Sequence, residues 1–365
     1  MKIPICKPTL PNYSKYCQGI KKLWNTKMIS NFSNNLIQME NIVSKYLKTN
    51  HVVGVANGDM GLIIALSLLG LSEGSKVIIP SFTFNSTATA VIWNKLKPVF
   101  ADIDENTFCV NPVDVSKKIT KKTKAILVTH IFGNPCDIKG LRKIAKQAGI
   151  YLIFDAAHAY GSKYKGKKIG TLADIEVFSF SGTKVVTSAE GGMIVSKTKD
   201  SADKARCIRN YGFVDNYQSQ ALGLNGKISE FNAVLGCLTL PNIDKYVNKR
   251  NKMAIMYKKK LRNVGDIRFQ FIEKGNVSTY KDFCILTTKR DSLSLYLAKK
   301  GIQTKKYFSP IHKMPYFYKE GVDLPITNSV SGQSLCLPMY NEMSKKELNY
   351  VCEAVLNYYN KNNIR

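Results

Sequence analysis

One lysine in this chain of 365 residues is placed to act as a nucleophile. Lys184 ends the segment 178–184 (FSFSGTK), and the apolar Val185 and Val186 follow it directly. A second turn of small residues, 189–193 (AEGGM), comes next. Burial disfavours the charged ammonium, so a lysine in apolar surroundings has a lowered pKa and a larger fraction of free amine. The pattern therefore indicates an amine that can attack a carbonyl group.

A turn rich in small residues provides a candidate phosphate site. Residues 56–61 (ANGDMG) follow a predicted strand and open an apolar helical pattern. The first turn of a helix offers unpaired backbone N–H groups and the positive end of the helix dipole, and both bind anions. The same residues also suit an ordinary turn between a strand and a helix, in which Asp59 caps the helix. The segment alone leaves both interpretations open.

Asp155 and His158 follow another predicted strand, in the segment 155–158 (DAAH). A carboxylate at the end of a buried strand needs a cation or hydrogen-bond donors to stay charged, and a pyridinium nitrogen is such a partner. An aspartate that caps a helix beside a packed histidine is the alternative for this segment. The three features in this order, however, predict pyridoxal 5′-phosphate bound to Lys184 as a Schiff base.

The elements that must position these residues alternate between short β-branched runs and helical patterns. This alternation predicts an α/β domain with a mostly parallel seven-stranded sheet, whose ligands bind beyond the carboxyl ends of the strands. Helical patterns cover residues 60–69, 88–94 and 138–148. The predicted strands are residues 51–55, 76–80, 98–103, 125–129, 151–155, 175–180 and 192–196.

The character of the sequence changes after about residue 217. Residues 228–261 have the pattern of a long helix that links two domains, with Pro241 near a break or a first turn. Strand-like and helical pieces alternate beyond it, at 283–288, 292–300 and 345–359. We therefore predict a large domain over residues 1–245, with an N-terminal helical segment, and a small C-terminal α+β domain over residues 246–365.

Further short segments extend the pattern set by Lys184 and Asp155. They are 80–84 (PSFTF), 97–102 (KPVFAD), 190–192 (EGG), 209–212 (RNYG), 223–225 (GLN) with Glu230, 301–302 (GI), 310–312 (PIH) and 337–338 (LP). With these segments the sequence resembles, over nearly its whole length, the DegT/DnrJ/EryC1/StrS sugar aminotransferases. The resemblance implies a pyridoxal-phosphate enzyme of fold type I, with an aspartate-aminotransferase-like architecture.

The resemblance also implies a role for individual residues. Lys184 would be the Schiff-base lysine, and Asp155 would be the partner of the pyridine nitrogen. Phe84 would stack on the cofactor ring, His158 would lie near the oxygen edge of that ring, and Ser179 would bind the phosphate. Ordinary core packing is the alternative for Phe84 and His158.

The phosphate turn departs from the usual pattern of the family. Gly58 is followed by Asp59, where the family usually has threonine, so the backbone N–H groups of Asp59 and Met60 must bind more of the phosphate. Lys227 replaces a frequent arginine, and Ala189 replaces a glycine, which affects recognition of the substrate more than the cofactor chemistry. Asn225 would reach the phosphate of the other subunit's cofactor, so the resemblance implies a homodimer with shared active sites.

Composition narrows the remaining function classes. A hydrophobic fraction of 44% and a charged fraction of 22% are those of an ordinary globular protein and exclude a disordered chain. The net charge of +28 would attract any polyanion, but the basic residues are scattered, so we predict no specific nucleic-acid site. Nine cysteines without a C-x-x-C pair indicate neither a disulfide framework nor a metal site. Because no apolar run reaches the length of a membrane helix or a signal peptide, we expect a cytoplasmic protein.

The resemblance implies amination of a 3-keto or 4-keto group of a nucleotide-linked deoxy sugar, with L-glutamate as the amino donor. Such reactions feed surface-polysaccharide or antibiotic-sugar pathways. A small keto acceptor, phosphorylated or free, is one alternative. A sugar dehydratase is another, although relatives of that type carry histidine where this chain has Lys184. A DNA-binding regulator would account for the charge, but it has no use for a buried lysine.

Overall fold

A mostly parallel β-sheet forms the centre of the fold. The computed structural model describes residues 2–215, 217–318 and 320–362. Its strands are β1 (Val52–Val55), β2 (Lys76–Pro80), β3 (Lys97–Ala101), β4 (Thr123–Thr129), β5 (Tyr151–Asp155), β6 (Lys163–Tyr164), β7 (Lys167–Lys168), β8 (Ile175–Ser179), β9 (Gly192–Ser196), β10 (Arg268–Phe269), β11 (Phe283–Leu286) and β12 (Ser334–Leu337). Within these ranges seven strands form the large sheet, in the order β1-β9-β8-β5-β4-β2-β3.

The directions of the strands confirm the predicted α/β class. Strand β9 is antiparallel to both of its neighbours, β1 and β8, and the other pairs in the sheet are parallel. Strands β4, β5 and β8 are buried at nearly every position, as expected when helices cover both faces of a sheet. Each strand of the sheet begins and ends within two residues of its predicted limits.

Helices cover the sheet and extend the chain at both ends. They are α1 (Tyr13–Thr26), α2 (Asn34–Leu47), α3 (Gly58–Ser67), α4 (Ser86–Trp93), α5 (Pro112–Lys117), α6 (Ile138–Ala148), α7 (Lys199–Ile208), α8 (Glu230–Thr239), α9 (Ile243–Leu261), α10 (Arg290–Lys299), α11 (Pro325–Gln333) and α12 (Lys345–Asn362). Helix α6 has its predicted limits, and α1 and α2 form the predicted N-terminal helical segment. None of the helices in the described ranges is long and apolar enough to cross a membrane.

The long helix predicted over residues 228–261 is interrupted. Helix α8 ends at Thr239, a 3₁₀ turn covers Leu240–Asn242, and α9 begins at Ile243. Pro241 lies in the turn, since a proline has no N–H to donate and its ring clashes with the carbonyl group four residues earlier. The break predicted near this residue is therefore present, and two helices replace one.

The two faces of the sheet belong to separate hydrophobic cores. In β4, Ile126 and Val128 pack into one core, whereas Ala125 and Leu127 pack into the other. The alternation follows from strand geometry, in which successive side chains point to opposite faces. Both faces of the central strands are thus covered, so a ligand can reach these strands at their ends.

The C-terminal part of the chain has a third core of its own. Strands β10, β11 and β12 form an antiparallel sheet, against which α10 and α12 pack. Helix α9 joins this part to the large sheet, because Ile243 and Val247 pack into a core of the large sheet while Tyr257 and Leu261 pack into the third core. The boundary between residues 245 and 246 stays a prediction, and it falls within the first turn of α9.

Candidate active site

A cavity of about 350 Å³ lies at the carboxyl ends of the parallel strands. The ends of neighbouring parallel strands meet at one edge of a sheet, which is where ligands bind in this class of fold. Seven of the residues singled out from the sequence line the cavity: Gly58, Asp59, Phe84, Asp155, His158, Ser179 and Lys184. Met60 and Asn225 are not among its lining residues.

The first turn of α3 opens into the cavity, and Asn57 rather than Asp59 caps it. The Asn57 side chain accepts a hydrogen bond from the Met60 N–H at 2.9 Å, so that backbone group is already satisfied. The N–H groups of Gly58 and Asp59 donate to no acceptor among the described residues. A Cβ atom on Gly58 would lie 2.9 Å from the Ser179 Cβ, so this close approach requires glycine. The turn presents two free donors beside the Ser179 hydroxyl group.

Asp155 ends β5 with its carboxylate buried and held by donors on both oxygens. Thr87 donates to Oδ2 at 2.9 Å, and the Ala157 N–H donates to Oδ1 at 3.1 Å. Burial raises the pKa of Asp155, while these hydrogen bonds and the positive charge of Lys184 lower it in part. The hydrogen bonds from Thr87 and Ala157 therefore offset part of the cost of burying this carboxylate.

Lys184 lies in the same cavity and is partly exposed there. Burial, together with the positive charge of Lys281, lowers the pKa of Lys184 from its usual 10.5 to about 8, and the carboxylate of Asp155 opposes this shift. At neutral pH a minority of the molecules, on the order of a tenth, then carry a neutral amine at Lys184, far more than at the usual pKa. The neutral amine is the form of lysine that can act as a nucleophile.

His158 is buried, and its hydrogen bond defines which ring nitrogen carries a proton. The Phe132 N–H donates to His158 Nδ1 at 3.2 Å, so Nδ1 acts as an acceptor. Burial, with the charges of Lys184 and Lys281, holds the pKa of His158 well below its usual value. The ring is therefore neutral, with its proton on Nε2.

The structure adds residues that the sequence interpretation missed. Thr83, Thr129, Lys281, Tyr307 and Phe308 also line the cavity. Thr83 lies in the segment 80–84, and Thr129 ends a correctly predicted strand, so the rule that selected Asp155 could have selected both. The other three come from the C-terminal part of the chain, and no motif or strand end in the sequence marks them.

Comparisons with known proteins agree along almost the whole chain. A model of the DegT/DnrJ/EryC1/StrS aminotransferase family matches residues 14–356. The chain is 32% identical over 365 residues to the GDP-perosamine synthase of Escherichia coli O157:H7, and the aligned region covers 98% of each protein. It is 34% identical over 361 residues to the dTDP-4-amino-4,6-dideoxy-D-glucose transaminase of Escherichia coli, and the aligned region covers 94% of this chain and 95% of that protein. Among solved structures, DesI in the presence of its TDP-sugar product has a TM-score of 0.91 at 28% identity, over 99% of this chain and 95% of that one.

The lowered pKa of Lys184 predicts unusual reactivity in the ligand-free protein. Modification of Lys184 by an amine-directed reagent, followed by peptide mass spectrometry, should accelerate with rising pH along a curve centred near 8. The sign follows because the neutral amine is the reactive form and the folded protein favours it. The same peptide in urea should titrate near the usual 10.5. Equal midpoints in the folded and unfolded protein would contradict this account.

Proposed function

The chain belongs to the DegT/DnrJ/EryC1/StrS aminotransferase family, and we propose that it transfers an amino group from L-glutamate to the keto group of a nucleotide-linked deoxy sugar. Members of this family are pyridoxal-phosphate-dependent transaminases. The observation that carries the proposal is Lys184, an amine with a pKa of about 8 in a cavity that also contains Asp155. A dehydratase that uses histidine at this position does not match Lys184.

The residues of the cavity fit pyridoxal phosphate. Lys184 is the amine that would hold the aldehyde carbon, and Asp155 would face the pyridine nitrogen. The free N–H groups of Gly58 and Asp59, with the hydroxyl group of Ser179, would hold the phosphate. This assignment uses the donors that the structure leaves unpaired. The Met60 N–H is not among them, because it donates to the Asn57 side chain.

Lys184 and Asp155 divide the chemistry between them. Bound pyridoxal phosphate supplies a ring that accepts the electrons left behind when a proton leaves the carbon bearing the amino group. The Lys184 Nζ atom, in its neutral form, would take that proton and return it to a neighbouring carbon. The Asp155 carboxylate, held by Thr87 and Ala157, would stabilise a positive charge on the pyridine nitrogen. Phe84 would stack on the ring, and the neutral His158 would lie near its oxygen edge.

A nucleotide sugar is the acceptor class that the relatives support. The names of the two curated relatives specify GDP-linked and dTDP-linked sugars, and the DesI structure was determined with a TDP-sugar. A nucleotide diphosphate is strongly anionic, and a chain with a net charge of +28 attracts it at long range. We therefore propose a nucleotide sugar as the class of acceptor. The experiment below identifies the nucleotide and the sugar.

A homodimer with shared active sites is part of the proposal. Asn225 is exposed and lies outside the cavity of its own chain, although the next residue accepts a hydrogen bond from Ala56 N, beside the phosphate turn. Large apolar side chains are also exposed nearby, with Tyr217 at 88% and Leu222 at 93%. A second subunit would cover them and bring its own Asn225 to this cavity. The cytoplasmic location stays a prediction.

A substrate panel tests the function. The purified protein should be incubated with L-glutamate and a series of keto-sugar nucleotides and small keto phosphates, and products should be identified by mass spectrometry. We expect amination of at least one nucleotide sugar, lost by more than about a thousandfold in Lys184→Ala. Lys197→Ala is the control, because that side chain is 72% exposed and lies outside the cavity. Turnover of small keto phosphates alone would select the other acceptor class, and a fully active Lys184→Ala would reject the assignment of the amine.

Asp59 is the unusual residue of the phosphate turn. Its carboxylate lines the cavity and would repel a phosphate bound at the same turn, since like charges repel at short range. Asp59→Thr should therefore bind pyridoxal phosphate at least as tightly as the native protein, measured by equilibrium titration of the cofactor-free form. Glu190→Gln removes another carboxylate of the cavity and controls for a general change in charge. Clearly weaker binding by Asp59→Thr would show that the carboxylate assists the cofactor.

The dimer proposal predicts that assembly and cofactor retention are coupled. Asn225→Ala should release the cofactor about tenfold more readily on dialysis, as expected for one lost hydrogen bond to a phosphate. Gln218→Ala, in the same exposed loop, should retain it. Sedimentation should show a dimer in both variants. A native protein that sediments as a monomer and still retains its cofactor would contradict the proposal.

A further inference from the structure

A second lysine lies in the cavity, and the chemistry assigned to Lys184 makes no use of it. Lys281 is 5% exposed and lines the cavity together with Lys184 and His158. It comes from the C-terminal part of the chain, one position before Asp282. A buried ammonium is costly unless it is paired, so its retention here requires an explanation.

Asp282 satisfies the ammonium in part. The Lys281 Nζ atom is 3.1 Å from each carboxylate oxygen of Asp282, and it lies 5.5 Å from the centre of the Tyr307 ring. A lysine ammonium has three N–H groups, and the two contacts with Asp282 account for two of them. The third has no acceptor among the residues that the structure describes. One strong donor is thus left in the wall of the cavity.

The backbone of Lys281 is held rigidly, as a binding group requires. Its N–H donates to the Phe132 carbonyl oxygen at 2.9 Å, and its own carbonyl oxygen accepts from Arg250 at 3.1 Å. Arg250 also donates to Asn341 at 2.6 Å, and Asn341 donates to the carbonyl oxygen of Val185 at 2.7 Å. This network connects Lys281 to the residue that directly follows Lys184.

Lys281, although paired with Asp282, is the lining cation that remains available to an anion. Among the lining residues that the structure describes, the cations are Lys184 and Lys281, and the carboxylates are Asp59, Asp155 and Glu190. Lys184 must be neutral in order to react, so it cannot also bind an anion. The charge of Lys281 acts on both Lys184 and His158, whose pKa values it helps to lower. An anionic group placed beside Lys184 would therefore lie within the field of Lys281.

We propose that Lys281 binds the carboxylate attached to the reacting carbon of the amino-acid donor. This inference rests on the proposed function, and it names the residue that recognises one of the two substrates. The reacting carbon of the donor must come within reach of Lys184 Nζ, and its carboxylate is one bond further away. The phosphate turn at α3 already accounts for the cofactor phosphate, and the keto sugar has no carboxylate at the carbon that reacts. The donor is therefore the substrate whose anion matches the free N–H of Lys281.

Steady-state kinetics separate the two substrates. In Lys281→Met the KM for L-glutamate should rise about tenfold or more, as expected when a charge-assisted hydrogen bond is lost, while the KM for the keto sugar should change less than about twofold. Lys281→Arg, which retains a cation, should recover part of the loss. Lys305→Met is the matched control, because Lys305 also lies over the Tyr307 ring, at 4.5 Å, but is exposed and lies outside the cavity.

Two further measurements keep the test decisive. Lys281→Met leaves Asp282 unpaired, so the double variant Lys281→Met/Asp282→Asn, which removes both charges, should show the same rise in KM with a fold verified by circular dichroism. Calorimetric binding of glutarate to the cofactor-bound protein should weaken about tenfold in both variants. Unchanged glutamate KM and glutarate affinity in the folded variants would overturn the proposal. If the native protein aminates no acceptor, the proposed function fails, and the glutarate titration still tests Lys281 alone.

Discussion

The site depends on placing an amine and a carboxylate in one cavity, where protein groups rather than water surround them. Burial alone favours the neutral form of both groups, which is useful for Lys184 and harmful for Asp155. The structure resolves this conflict locally. It surrounds Asp155 with the donors of Thr87 and Ala157, and it gives Lys184 an additional positive neighbour in Lys281. Hydrogen-bond donors thus favour the charged form of Asp155, and a neighbouring cation favours the neutral form of Lys184.

Close approach of the backbone brings the two halves of the site together. Strand β9 lies between β1 and β8, so the turn after β1 and the end of β8 must meet across its first residue. That residue is Gly192, where a Cβ atom would lie 2.7 Å from the Asn57 carbonyl oxygen and 2.9 Å from that of Phe178. The second glycine of the segment 189–193 is therefore required by this close approach. It allows the phosphate turn to lie beside Ser179.

Much of this site could be predicted from the local sequence pattern, because many of its residues lie at the ends of strands. Apolar runs located the strands, and the residues that follow them, Asp155 and Gly58 among them, line the cavity. Pattern could not assign the cap of α3 correctly, since both Asn57 and Asp59 are good capping residues and the choice depends on backbone geometry. It also could not find Lys281, Tyr307 and Phe308. These residues reach the cavity through packing between the C-terminal part and the large sheet, and a single sequence contains no periodic signal for such contacts.

Helix α9 passes from a core of the large sheet to the core of the C-terminal part without a break. Arg250 lies between these two sets of contacts, and its hydrogen bonds reach Asn341 and, through it, the chain beside Lys184. One rigid rod is therefore shared by both walls of the cavity. Neither wall can tilt without bending the helix or breaking the buried contacts of the Arg250 guanidinium group. The width of the cavity therefore depends on both parts of the chain. Loss of structure in the C-terminal part would therefore remove Lys281, Tyr307 and Phe308 from the wall of the cavity.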